Sequence, residues 1–170
     1  ACPTVSGGAA VYYVRTLGAD GSDSRVYFDL LGRKVREAVL GFGGTWVFVD
    51  YKYNSLGHNT QVSEPYFSGA TTIYWNTFTY DDLGRPTQTV NADNRTDTVT
   101  YNGLTVTSRM DTADKNQQKI EVRDVLDNLV SVTDNAGKNA TYTYDAYGQM
   151  LSLTPPAVSG LTVAATTITY

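Results

Sequence analysis

Tyr142-Thr143-Tyr144-Asp145-Ala146-Tyr147-Gly148-Gln149-Met150-Leu151 decides how the rest of this 170-residue chain is read. Close relatives of it stand at Val26-Tyr27-Phe28-Asp29-Leu30-Leu31-Gly32-Arg33, at Tyr51-Lys52-Tyr53-Asn54-Ser55-Leu56-Gly57-His58 and at Phe78-Thr79-Tyr80-Asp81-Asp82-Leu83-Gly84-Arg85. A degraded copy runs from Glu121 to Asn128, with Asp127 in the place of the glycine. From turn residue to turn residue the copies lie 25, 27, 43 and 21 positions apart. Gly103, in Val99-Thr100-Tyr101-Asn102-Gly103, divides the long gap and is read as a shortened sixth copy. A period of about 20–50 residues is that of stacked supersecondary units, none of which can bury its apolar face alone.

Each position of the copy has a physical job. Phe28, Tyr53, Tyr80 and Tyr144 lie two residues after Val26, Tyr51, Phe78 and Tyr142, so each pair shares one face of a strand. Asp29, Asn54, Asp81, Asp124 and Asp145 come next, short polar acceptors suited to the backbone N–H groups of a tight turn. Gly32, Gly57, Gly84 and Gly148 then supply the positive φ that closes it. Beyond the turn, Val35, Thr60, Thr87, Val130 and Leu151 precede the polar Arg36, Gln61, Gln88, Ser131 and Ser152, which reads as an alternating return strand. The unit is therefore a β-hairpin, and consecutive hairpins predict an all-β, antiparallel sheet that twists and curls.

Thirteen Tyr, 24 Thr and 15 Gly, with no apolar run of helical period, agree with an all-β class. Net charge is −4 and no Lys/Arg run occurs, which argues against nucleic acid. Cys2 and His58 are the only residues of their kinds, leaving neither an internal disulfide nor a Cys/His zinc set. No stretch approaches the length of a membrane span, and no signal sequence opens the chain, so membrane insertion is not expected. Trp46–Tyr53, the most hydrophobic strand, is expected to be central, and Pro65 to break the sheet's rhythm. Asn102-Gly103 reads as a hairpin, Asp111–Lys119 as a charged loop, and Asp134–Lys138 as a second kind of turn between the glycine copies. Ile168-Thr169-Tyr170 repeats the start of a copy and then stops, so residues 1–170 are read as one array excised from a longer chain, with copies centred near Gly32, Gly57, Gly84, Gly103, Asp127 and Gly148.

The Tyr-x-Tyr-Asp-x-x-Gly-Arg copies, clearest at Phe78–Arg85 and Tyr142–Gln149, resemble the YD repeats of RHS-repeat proteins, and the resemblance runs from about Val26 to Tyr170. It implies a section of a spiral β-shell such as those of bacterial toxin complexes and polymorphic toxins, or of the barrels of teneurins. It also implies a secreted or cell-surface setting, most simply bacterial, with neighbouring repeats or an encapsulated polypeptide as partners. His58, Asn128 and Gln149 depart from the family's Arg after the glycine, and Asp127 requires a left-handed Asp or a different turn. The self-cleaving carboxylates of the family have no counterpart here.

Asp29, Asp81, Asp124 and Asp145 are repeated rather than convergent, which argues for turn-building over acid catalysis. No catalytic, metal or cofactor residue is assigned, and the expected role is non-enzymatic: a structural segment forming a scaffold around a cargo. Asp29, Gly32, Asn54, Gly57, Asp81, Gly84, Asp145 and Gly148 are assigned to turns. The alternative is a carbohydrate-binding or adhesion module, with Trp46 and Trp75 as stacking platforms for glycans.

Overall fold

The computed structural model describes residues 4–5, 8–111, 116–158 and 164–169. Cys2 and Tyr170 lie outside them. The chain forms two compact units, Ala1–Arg95 and Thr96–Tyr170. Both are antiparallel β-structure, and no α-helix occurs among the described residues.

The first unit holds β1 (Thr4–Val5), β2 (Gly8–Ala9), β3 (Tyr12–Leu17), β4 (Asp23–Phe28), β5 (Lys34–Leu40), β6 (Trp46–Tyr53), β7 (Asn59–Ser63), β8 (Tyr66–Phe67), β9 (Trp75–Tyr80) and β10 (Pro86–Val90). β1 and β2 pair separately; the main sheet runs β3-β4-β5-β6-β7-β9-β10, with β8 also on β6. β6 is central, and its second side forks: Val47 and Phe48 face β8, whereas Tyr51 to Tyr53 face β7. The fork falls at Glu64-Pro65, because proline cannot donate to a ladder and the chain leaves the sheet there. The second unit is a meander in sequence order of β11 (Thr96–Asn102), β12 (Thr105–Asp111), β13 (Asn116–Arg123), β14 (Leu129–Thr133), β15 (Asn139–Tyr144), β16 (Met150–Thr154) and β17 (Thr166–Thr167). The strands β12 and β13 occupy most of the stretch expected as a charged loop, pairing from Thr105↔Val122 out to Asp111↔Asn116.

Nine five-residue turns share one geometry among the described residues. In each, the first N–H bonds the fifth carbonyl and the fourth N–H bonds the first carbonyl, at 18–22, 29–33, 41–45, 54–58, 81–85, 91–95, 124–128, 134–138 and 145–149. The fourth residue has positive φ in every case, including Asn94 (66°) and Asp127 (67°). Asp127 thus adopts the left-handed conformation that short polar side chains tolerate. Asp134–Lys138 is the same loop as the glycine copies rather than a second kind. Gly103 is the exception: Asn102 pairs with Thr105, so Gly103-Leu104 forms a two-residue hairpin loop instead of a shortened copy.

What separates the two classes of five-residue turn is the ladder beside them. After the turns at 29–33, 54–58, 81–85, 124–128 and 145–149 the register slips by one residue, leaving Val35, Thr60, Thr87, Val130 and Leu151 as bulges. The return strands therefore do not alternate from their first residue, as the sequence suggests. The bulge sets two residues against one and lets the alternation resume on the right face. The hairpins around 18–22, 41–45 and 134–138 keep an unbroken register.

The core is small. Buried hydrophobic residues among those described are Ala10, Tyr27, Val35 and Ala38, with Trp46 and Phe48 packed against them, all in the first unit. Most strand residues are half-buried.

Candidate functional site

Asp29, Asn54, Asp81, Asp124 and Asp145 form identical cages. In each, Oδ1 accepts the N–H groups two and four residues on, at 2.8–3.0 Å. Asp134 does the same for Ala136 and Lys138. The second carboxylate oxygen explains the residue that follows the glycine. Arg33 Nε donates to Asp29 Oδ2 at 2.7 Å, Arg85 Nε to Asp81 Oδ2 at 2.8 Å, and Asn128 Nδ2 to Asp124 Oδ2 at 2.9 Å. Where the cage residue is Asn54, no second carboxylate oxygen exists and the fifth position is His58.

Burial pushes the Asp29 carboxyl up, but the amide and guanidinium of Arg33 outweigh it and hold the group below the usual carboxylate range. The Arg85 amide and then its guanidinium hold Asp81 down, and the Asn128 side chain does so for Asp124.

Where a tyrosine precedes the cage, at Asn54, Asp81 and Asp145, it reaches back to the preceding hairpin. Tyr53 Oη donates to Lys34 O at 2.8 Å, Tyr80 Oη to Asn59 O at 2.7 Å and Tyr144 Oη to Leu129 O at 2.8 Å. Each accepting carbonyl belongs to the first residue after the earlier turn, so the Tyr-Asp dipeptide both closes its own loop and clips it to the previous repeat. The fifth turn residue packs on the same tyrosine: the Arg33 guanidinium lies 4.7 Å from the Tyr53 ring centre, and the His58 ring 4.8 Å from that of Tyr80. His58 therefore takes the arginine's place as a stacking group.

Tyr80→Phe and Tyr144→Phe should each lower stability by about 1 kcal/mol, since each strands a carbonyl while keeping the ring. Urea melts check this. Gly84→Ala should cost about 1–2 kcal/mol from its left-handed backbone. It should cost more than Gly57→Ala, because a Cβ on Gly84 stands 2.9 Å from His58 Nε2 and one on Gly57 meets nothing within 4 Å.

A second polar centre lies at the fork of β6. Asp50 is fully buried. Its carboxylate accepts hydrogen bonds from Arg36 Nε at 2.6 Å, Arg36 Nη2 at 2.8 Å and Tyr66 Oη at 2.7 Å, and its own N–H donates to Ser63 Oγ at 2.9 Å. Burial lowers the Arg36 guanidinium pKa, but the bonds and charge of Asp50 more than offset that and raise it. Ser63 Oγ supplies the acceptor missing where β7 ends, and Tyr66 closes the gap from β8. Sequence reasoning missed this network; the available signal was a carboxylate in the middle of the most hydrophobic strand.

Trp46 and Trp75 stand at the first positions of β6 and β9, both half-buried. The Arg25 guanidinium lies 4.3 Å from the Trp46 ring centre and Lys52 Nζ 4.0 Å from that of Trp75, so each indole has one face engaged by a cation of the same unit. In the second unit a concavity of about 580 Å³ beside β12 and β13 is lined by Met110, Val132, Lys119 and Asp134 among others, and carries a single carboxylate. No three His, Cys, Asp or Glu side chains gather as a metal site among the described residues. No helix there is long and apolar enough to cross a membrane.

Residues 123–157, which contain the turns at 124–128, 134–138 and 145–149, match the family model described as RHS Repeat. This stretch is an RHS repeat. The same five-residue turn and tyrosine clip recur outside it, at Asn54 and Asp81. Two solved structures share the fold. The crystal structure of TcdB2-TccC3-Cdc42 matches with a TM-score of 0.68 at 16% identity, over 79% of this chain and 9% of that one. The Photorhabdus luminescens Tc holotoxin pore, carrying a mutant TccC3, matches with a TM-score of 0.69 at 14% identity, over 80% and 9%. At these identities the likeness is one of fold, and the chain spans about one-eleventh of each. No curated protein sequence matches the chain.

Proposed function

We propose that the chain is a non-enzymatic section of wall in a large secreted or cell-surface RHS-repeat protein, a repeat array that helps to enclose a polypeptide cargo. The observation that carries this reading is the tyrosine clip: at the copies with Tyr53, Tyr80 and Tyr144 the marking polar groups are spent on the backbone of their own repeat and the one before, which is what propagation of a wall requires. Chemistry that is repeated along an array, rather than gathered at one place, supports a scaffold over a catalyst. The fold shared with the TcdB2-TccC3-Cdc42 and Tc holotoxin pore structures supports this reading.

Electron microscopy of the complete polypeptide that contains this chain tests the reading, together with limited proteolysis. A hollow β-walled particle that protects an internal segment is the expected result. A solid or extended particle whose segments are all cleaved at similar rates overturns it.

A further inference from the structure

The apolar residues at the bulged turns have no role in the turns themselves. In the first unit Leu30, Leu31, Leu56 and Leu83 occupy the second and third positions of the turns at 29–33, 54–58 and 81–85, and each is 74–85% exposed. Their N–H groups are what the cage needs, as Leu31, Leu56 and Leu83 N–H bond Asp29, Asn54 and Asp81; their side chains contribute nothing to it. In an antiparallel meander alternate connections lie at opposite edges, so these three turns share one edge of the sheet. The five-residue turns of the other edge carry Asp20, Gly43 and Asp93 at the third position, with Phe42 as their one large apolar side chain, and the longer connection from β7 to β9 on that edge adds the exposed Phe67 and Tyr74.

We propose that this leucine row is a self-association surface, docking two-fold against the same row of a second copy of the chain. An isologous contact doubles every residue, so eight leucines are covered. Their burial removes roughly 500–800 Å² of apolar surface, and the adjoining turn backbone brings the total to about the 1,000 Å² at which a specific interface begins. The row thus fits a weak, reversible dimer rather than a permanent one. Arg33 and Arg85 are turned inward onto Asp29 and Asp81, so that Asp82, beside Leu83, is the exposed carboxylate that the row carries. The surface stands whether or not the chain lines a shell.

Sedimentation equilibrium from 1 to 200 μM tests it, on the chain as it stands and on two variants. The expected result is reversible dimerisation at tens of micromolar, weakened at least tenfold in Leu31→Ser/Leu56→Ser/Leu83→Ser and unchanged in Val14→Lys, which blocks strand addition at β3. Circular dichroism and thermal melts confirm that the variants fold, as these side chains are exposed. A chain that stays monomeric throughout overturns the proposal, as does dimerisation lost in Val14→Lys but kept in the triple variant.

Discussion

Asp50→Ala should destabilise the first unit by about 3–5 kcal/mol, the range for breaking a buried ion pair by removing one partner. The loss arises because Arg36, whose side chain is 12% exposed, keeps its charge in a site that no longer neutralises it, and Tyr66 loses its acceptor. Arg36→Met should cost a similar amount by removing the cation that balances the Asp50 carboxylate. The double variant Arg36→Met/Asp50→Leu should recover most of both losses, because the Coulombic gain of such a pair is largely offset by desolvation. Against a typical domain stability of about 5–15 kcal/mol, the single changes are large. Urea denaturation followed by tryptophan fluorescence reads them out, since Trp46 lies on the same strand as Asp50. A loss below about 1 kcal/mol for Asp50→Ala would show that water reaches Arg36 and that the fork is held by its ladder alone.

The second large effect is acid sensitivity. Asp20, Asp23, Asp29, Glu37, Asp81, Asp93 and Asp124 all have pKa values below the ordinary range, chiefly through hydrogen bonds from neighbouring amides, hydroxyls and cations. The bidentate Arg15 guanidinium, helped by Arg25, holds Asp23 down to about 2. A carboxylate depressed in the folded state binds its proton more readily when unfolded. Its stabilisation is complete above the unfolded value near 4 and disappears as the pH falls through the folded value. Stability should therefore be flat from about pH 7 to 5 and decline between about pH 4 and pH 2. Asp23→Asn should make the first unit less stable at neutral pH and flatten the lowest part of that decline. A midpoint of urea unfolding that stayed constant from pH 5 to pH 2 would contradict the assignment of these bonds.

The cages were legible because everything they need lies within five residues. An Asp or Asn followed by a glycine three positions on is a local pattern, and local hydrogen bonds follow it wherever the chain goes. Where the local pattern thins, so did legibility. The turns at 18–22 and 41–45 begin with Gly18 and Gly41, which have no side chain to form a cage, and the turn at 91–95 has Asn94 instead of glycine. All three have the same backbone path as the others. The bulges at Val35, Thr60, Thr87, Val130 and Leu151 look like ordinary alternate positions in one dimension, since a register slip is a property of two strands together.

By itself the sequence determined an all-β chain of hairpins, the residues that bend it, and the shared face of Tyr53, Tyr80 and Tyr144 with their partners two residues earlier. Period and turn chemistry are read over short spans, and a short span is enough for them. Only the tertiary structure decided where the tyrosine hydroxyls go, 15 to 21 residues back along the chain, and that Arg36, Asp50, Ser63 and Tyr66 meet at one point. Those contacts depend on which strands lie side by side and in what register, and residues far apart in the chain acquire partners only once the ladder has formed.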